Sequence, residues 1–323
     1  MATRACPVAV RITGPPNEHP IGAPLSLPRR GAYGAAVNPP LTMLSTWKFD
    51  PVLGGGMLLA AGAYLWAVRV VNVRSPSRPW PRRYTVSFLG ALAIAWLVLL
   101  GPIGAYDDVF FWAHMVQHIV LMMIVAPLLL LGAPVLLILR VSSREFRRRW
   151  VLPVLHSRIL VALTNPVVGW LIFAGALVAT HFSPFYDFAL EHPLVHDYIE
   201  HPIFLGAALI YYYPLLPGNP GPRTVAPGIR VASLFLMMFP ETMTGFFIYA
   251  SSYLIFTYYG TVDRPFGPGP IHDQQFGGAL MWAGGMLIDS IWVVIAVLHW
   301  LRSEARKAYR LDVQTLARLG AQP

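Results

Sequence analysis

Trp112-Ala113-His114-Met115-Val116-Gln117-His118 opens an apolar run that continues to Leu139 without an Asp, Glu, Lys or Arg. Residues four apart share one face of a helix, so the two imidazoles lie together. Ionisable groups in a membrane-length segment are costly enough to mark function. The run 112–139 exceeds the roughly 20 residues that cross a bilayer core, and it carries Pro127 and Pro134. A helix that tilts, kinks or ends in the interface is therefore expected.

Outward from this run, six further apolar stretches approach membrane-spanning length: 51–70, 84–103, 160–181, 198–216, 230–252 and 277–300. The stretch 198–216 is the shortest. The 323-residue chain is 56% hydrophobic and 12% charged, with mean hydropathy +0.55, too few charges to clothe a soluble globule of that size. The expected fold class is all-α, a polytopic membrane bundle of about seven transmembrane helices. Its surroundings are a lipid bilayer. The net charge of +9 does not point to nucleic acid, because the basic residues lie in short loops between spans rather than on one polar face. Cys6 is the single cysteine, which excludes an internal disulfide, a Cys-X-X-Cys pair and a thiolate cluster.

Those loops set the orientation. Arg69, Arg74, Arg78, Arg82 and Arg83 follow the first span, and Arg140 to Arg158 follow the third. Arg223 and Arg230 precede the sixth. Arg302, Arg306, Lys307, Arg310 and Arg318 follow the last. These loops are read as cytoplasmic. The alternate loops carry Asp107, Asp108, Asp187, Glu191 and Asp263, with Arg264 as their basic residue, and suit the outer face of a plasma membrane. Seven spans then place the N-terminus outside and the C-terminus in the cytoplasm.

Residues 1–46 are Pro-rich, contain Arg4, Arg11, Arg29 and Arg30, and lack the apolar core of a signal peptide. They are expected to form a disordered tail, and Met43 stands as an alternative start at the usual distance before the first span. Residues 47–302 read as one membrane domain, and 303–323 as a basic cytoplasmic tail.

Orientation gathers the histidines. His114, His118, His181, His196 and His201 all fall at the external ends of their spans, whereas His156 and His299 fall on the other side and His19 in the tail. His192 and His272 lie near the same outer face, where an interfacial hydrogen bond to a loop explains them equally well. Imidazole suits zinc, copper, iron and nickel, with affinity peaking at copper, and thioethers favour cuprous copper. The expected metal set is His114, His118, His181, His196, Glu200, His201, Glu241 and Asp273, with copper as occupant. For Glu241 a protonated or hydrogen-bonded role in helix packing is the alternative reading, and for Asp273 a cap on the last helix. Met115, Met243 and Met281 are candidate thioethers, for which ordinary packing is the plain alternative. Gly277 and Gly278 suit close helix packing.

These residues, in this order, resemble the CtaG-type assembly factors of caa-type cytochrome c oxidase. The resemblance runs from about Leu44 to Trp300. It is carried by His114-Met-Val-Gln-His118, Ala126-Pro127, Leu131-Gly132-Ala133-Pro134, Thr180-His181, Phe185-Tyr186, His196 with Glu200-His201, Tyr213-Pro214, Asp273-Gln274, Gly277-Gly278 and Met281-Trp282. Tyr213 stands where the family tends to have Trp. The resemblance implies a multi-pass plasma-membrane protein that helps make active haem-copper oxidase by aiding copper delivery, with oxidase subunits and external copper chaperones as partners. A bis-histidine haem protein and a transporter of copper or another small solute are the rival readings. No nucleophile–base arrangement, phosphate loop or dinucleotide fingerprint supports an enzyme.

Overall fold

Asp50 begins the membrane part by accepting the backbone N–H groups of Val52 and Leu53 at 2.9 Å each, an N-cap with proline at the first helical position. In the computed structural model, residues 45–217, 220–222, 225–264 and 266–320 are described, with side chains to 316. Expectations for Cys6, His19, Met43 and Arg223 lie outside the described residues, as does most of the 1–46 segment.

The principal helices are α1 Pro51–Arg74, α2 Arg82–Leu99, α3 Phe111–Val141, α4 Pro166–His181, α5 Phe185–Glu191, α6 His201–Tyr212, α7 Pro227–Ala250 and α8 Pro270–Leu316. Among the described residues there is no strand. Helices α1, α2, α3, α7 and α8 are each long and apolar enough to cross a membrane, and α4 with α5, bent by 69°, forms a sixth candidate. The stretch 160–181 is interrupted: Asn165 accepts the N–H of Val167 at 3.0 Å and starts a new helix at Pro166. The stretch 198–216 divides into a π-helical turn, His196–Glu200, and the 12-residue α6. That helix alone is shorter than a bilayer core.

Proline shapes α3. Pro127 has no N–H for the carbonyl of Met123, four residues earlier. The helix widens into a π-helical turn over Leu121–Val125, and Trp292 Nε1 donates to the freed Met123 carbonyl at 2.8 Å. Before Pro134 the chain breaks at Ala133, which adopts a left-handed φ of 49°. The Tyr64 hydroxyl donates to the neighbouring Gly132 carbonyl at 2.7 Å.

Helix α1 packs on α2 and on the end of α3, and α6 lies against α4 and the middle of α3. Helix α7 is held between α4 and α8, whose first turns cover the start of α3. Glycine permits the closest approach: a Cβ on Gly278 would lie 2.6 Å from Tyr249 N, and one on Gly245 2.6 Å from Trp282 N. Backbones of α7 and α8 therefore touch. Phe111, Phe173, Phe204 and Tyr211 fill the core, while Leu58, Leu59, Trp66, Val86 and Phe235 point outward, as expected of a bundle whose solvent is hydrocarbon.

Candidate functional site

Helix α3 is anchored before its first histidine. Asp273, in the first turn of α8, accepts the N–H of Phe111 at 2.9 Å and of Trp112 at 3.1 Å. Arg264 Nη1 donates to the same carboxylate at 2.8 Å. One turn further, His114 and His118 are buried, with Nε2 facing Nε2 at 2.8 Å; one ring donates and the other accepts. Glu200 Oε1 lies 3.5 Å from His114 Nε2 and 3.6 Å from His118 Nε2.

The π-helical turn before α6 supplies the rest. His196 Nδ1 donates to Glu200 Oε2 at 2.8 Å, and His196 Nε2 lies 3.3 Å from Asp107 Oδ2. The His201 ring centroid is 4.7 Å from that of His196, and neither His201 nitrogen has a hydrogen-bond partner among the described residues. At the end of α4, His181 donates through Nδ1 to the Leu177 carbonyl at 2.8 Å. This leaves Nε2 without a partner.

A polar shell holds the rings. Gln117 donates to Asp107 Oδ2 at 2.8 Å and to the Val98 carbonyl at 3.1 Å. The Tyr259 hydroxyl donates to the Asp107 carbonyl at 2.7 Å and lies 3.2 Å from His114 Nδ1. Burial works against the charge on Asp107, but the hydrogen bond from His196, its charge and that of Lys48 prevail, holding the carboxyl well below its usual range. Lys48 Nζ donates to Asp197 at 2.7 Å. Lys48, Asp107, His196, Asp197 and Tyr258 border an open depression of about 330 Å³, so His196 is the cluster imidazole in its wall.

The structure therefore brings His114, His118, His196, Glu200 and His201 together, with His181 beside His118 at a ring separation of 5.7 Å. Glu241 sits deeper, beside Asp289. Asp273 stands apart from the rings, with both oxygens engaged by the start of α3 and by Arg264; it caps that helix rather than its own. His156, His192, His272 and His299 are exposed, and His192 donates to the Phe188 carbonyl at 2.8 Å. Asp107, Gln117, Tyr259 and Lys48 were absent from the expected site. Gln117 was visible on the helix face of His114, three residues along, and Asp107 precedes His114 by two turns' worth of chain, but nothing local connects Tyr259 or Lys48 to them.

The donor set is chemically suited to a metal. Ligand atoms of His114, His196 and Glu200 lie within 4.8 Å of one another, and so do those of Asp107, His196 and His201. Buried imidazole and carboxylate in this ratio match zinc, copper, iron or nickel, and the free nitrogens of His181 and His201 offer further ligands.

The family model described as cytochrome c oxidase caa3 assembly factor matches residues 62–303, a span that includes every histidine of the cluster. The chain belongs to this family. Its apolar helices and this membership make it a membrane protein of a family described as cytochrome c oxidase caa3 assembly factors. Uncharacterized proteins of Mycobacterium bovis and Mycobacterium tuberculosis are each 28% identical to this chain over 84% of its length and 42% of theirs. One of Mycobacterium leprae is 28% identical over 83% of this chain and 41% of its own. The chain thus spans less than half the length of these curated relatives. No solved structure matches it.

Proposed function

We propose that this assembly factor supports maturation of a haem-copper oxidase by handling copper at the outer face of the plasma membrane. The observation that carries the reading is the buried cluster of His114, His196 and Glu200, with ligand atoms within 4.8 Å, beneath a polar depression in a family of oxidase assembly factors. Copper is cargo here: the imidazoles and Glu200 hold it, Asp107 and Gln117 orient the rings, and oxidase subunits receive it, with external copper chaperones as donors. The reading takes the bundle as seven spans, counting α4 and α6 with their flanking turns, with N-terminus outside and C-terminus in the cytoplasm.

Close packing of the rings favours a metal ion over haem. His114 Nε2 already meets His118 Nε2 at 2.8 Å, and the cavity beside His118 and His181 is only about 20 Å³, room for one water or one ion rather than a macrocycle. Deleting the gene is expected to leave oxidase subunits present but lower copper-oxidase activity, with partial restoration by added copper. A His114→Ala, His118→Ala double variant is expected to reproduce the deletion while still accumulating in the membrane. Full oxidase activity in the deletion strain, with no other factor compensating, overturns the reading.

A further inference from the structure

Toward the middle of α3, beyond the imidazole cluster, four methionines surround a small cavity between α3, α4, α7 and α8. They are Met115, Met122, Met123 and Met281. His118, His181 and Glu241 also line it. About 20 Å³ is open to the centre of a water-sized sphere, room for one water or one ion.

Two departures from regular helix build this wall. The π-helical turn Leu121–Val125 buries the successive residues Met122 and Met123 together, and a second such turn, Leu280–Gly284, carries Met281. Gly285 then leaves the centre open: a Cβ there would sit 3.9 Å from both Met123 Sδ and Glu241 Oε2.

The wall is chemically incomplete. His118 Nδ1, His181 Nε2 and Glu241 Oε2 are buried and have no hydrogen-bond partner among the described residues. Such atoms are costly to bury unsatisfied, and all three belong to side chains that line the same cavity as the four methionines. Thioether accepts hydrogen bonds weakly but binds soft metals well. The carboxyls of Glu241 and Asp289 lie side by side, and no ion pair among the described residues includes either. A single positive charge in the cavity would meet that demand.

We infer that this cavity is a second metal site, built for monovalent copper from the thioethers of Met115, Met122, Met123 and Met281 with His118, His181 and Glu241. His118 joins it to the outer cluster, since its Nε2 faces His114 while its Nδ1 is free. The site gives a cuprous ion a position part-way into the membrane, and it rests on the reading that this chain handles copper.

The test uses the full chain purified in detergent under reducing conditions. Cu(I) is titrated against a chromophoric Cu(I) chelator, and copper X-ray absorption reports the ligand atoms. Wild type is expected to hold two Cu(I) per chain, one with sulfur neighbours. Met122→Leu, Met123→Leu, Met281→Leu preserves side-chain volume and should lose one equivalent together with the sulfur signal. Gly285→Leu, which fills the cavity without replacing a ligand, should do the same. His196→Ala should lose the other equivalent and keep the sulfur signal. Wild type with nitrogen and oxygen neighbours alone, and unchanged stoichiometry in the methionine and Gly285 variants, overturns the inner site while leaving the outer one intact. Absence of Cu(I) binding in wild type overturns both.

Discussion

Nε2 of His114 stands 2.8 Å from Nε2 of His118. Two ring nitrogens from one helix face can meet this closely only if one carries the hydrogen and the other a lone pair. Glu200, at 3.5 and 3.6 Å from the pair, supplies the negative charge that a cation replacing that hydrogen would need.

His114→Ala is therefore expected to weaken copper binding at the outer cluster at least about tenfold and so to cost one of the two equivalents, and His118→Ala, which lines both sites, to weaken both, read by elemental analysis after exhaustive dialysis of the purified chain. His299→Ala, at an exposed position, should retain copper like wild type. Equal retention in all three variants removes the cluster as a metal site.

Asp273 makes a contrasting case. Its carboxylate holds two N–H groups of α3 and the buried Arg264 guanidinium. Asp273→Ala leaves that charge unpaired and should destabilise the chain by on the order of 3 kcal/mol, read as a lowered thermal midpoint in detergent. Copper stoichiometry in the surviving folded protein should be unchanged. Loss of copper without loss of stability would return Asp273 to the ligand set.

The arrangement of basic loops makes a third prediction. Reporter fusions after Arg149 and after Arg310 should give cytoplasmic signals, and a fusion near Glu191 an external one. A cytoplasmic signal near Glu191 would put the imidazole cluster on the wrong face for the proposed role.

Much of this was legible in the residues themselves. Apolar length and scarcity of charge dictate a helical membrane protein, because hydrocarbon leaves backbone groups no partner outside the helix. The i, i+4 spacing of His114 and His118 places both rings on one face, and the ordered motifs indicated the family. Pro127 and Pro134 foretold that α3 would not be straight, since each removes a backbone donor.

Only tertiary structure decided which faces meet. Asp107 joins the site because the loop before α3 folds over His196, and Asp273 leaves it because the start of α8 lies against the start of α3. The π-helical turn at Leu121–Val125 is wider than a regular turn, so a regular helical period misplaces the residues after it relative to His114 and His118. The stretch 198–216 takes in a π-helical turn and a 12-residue helix, a division that apolar length does not reveal. Periodicity along one segment sets what that segment can bury; the neighbour against which it is buried is a property of the packed bundle alone.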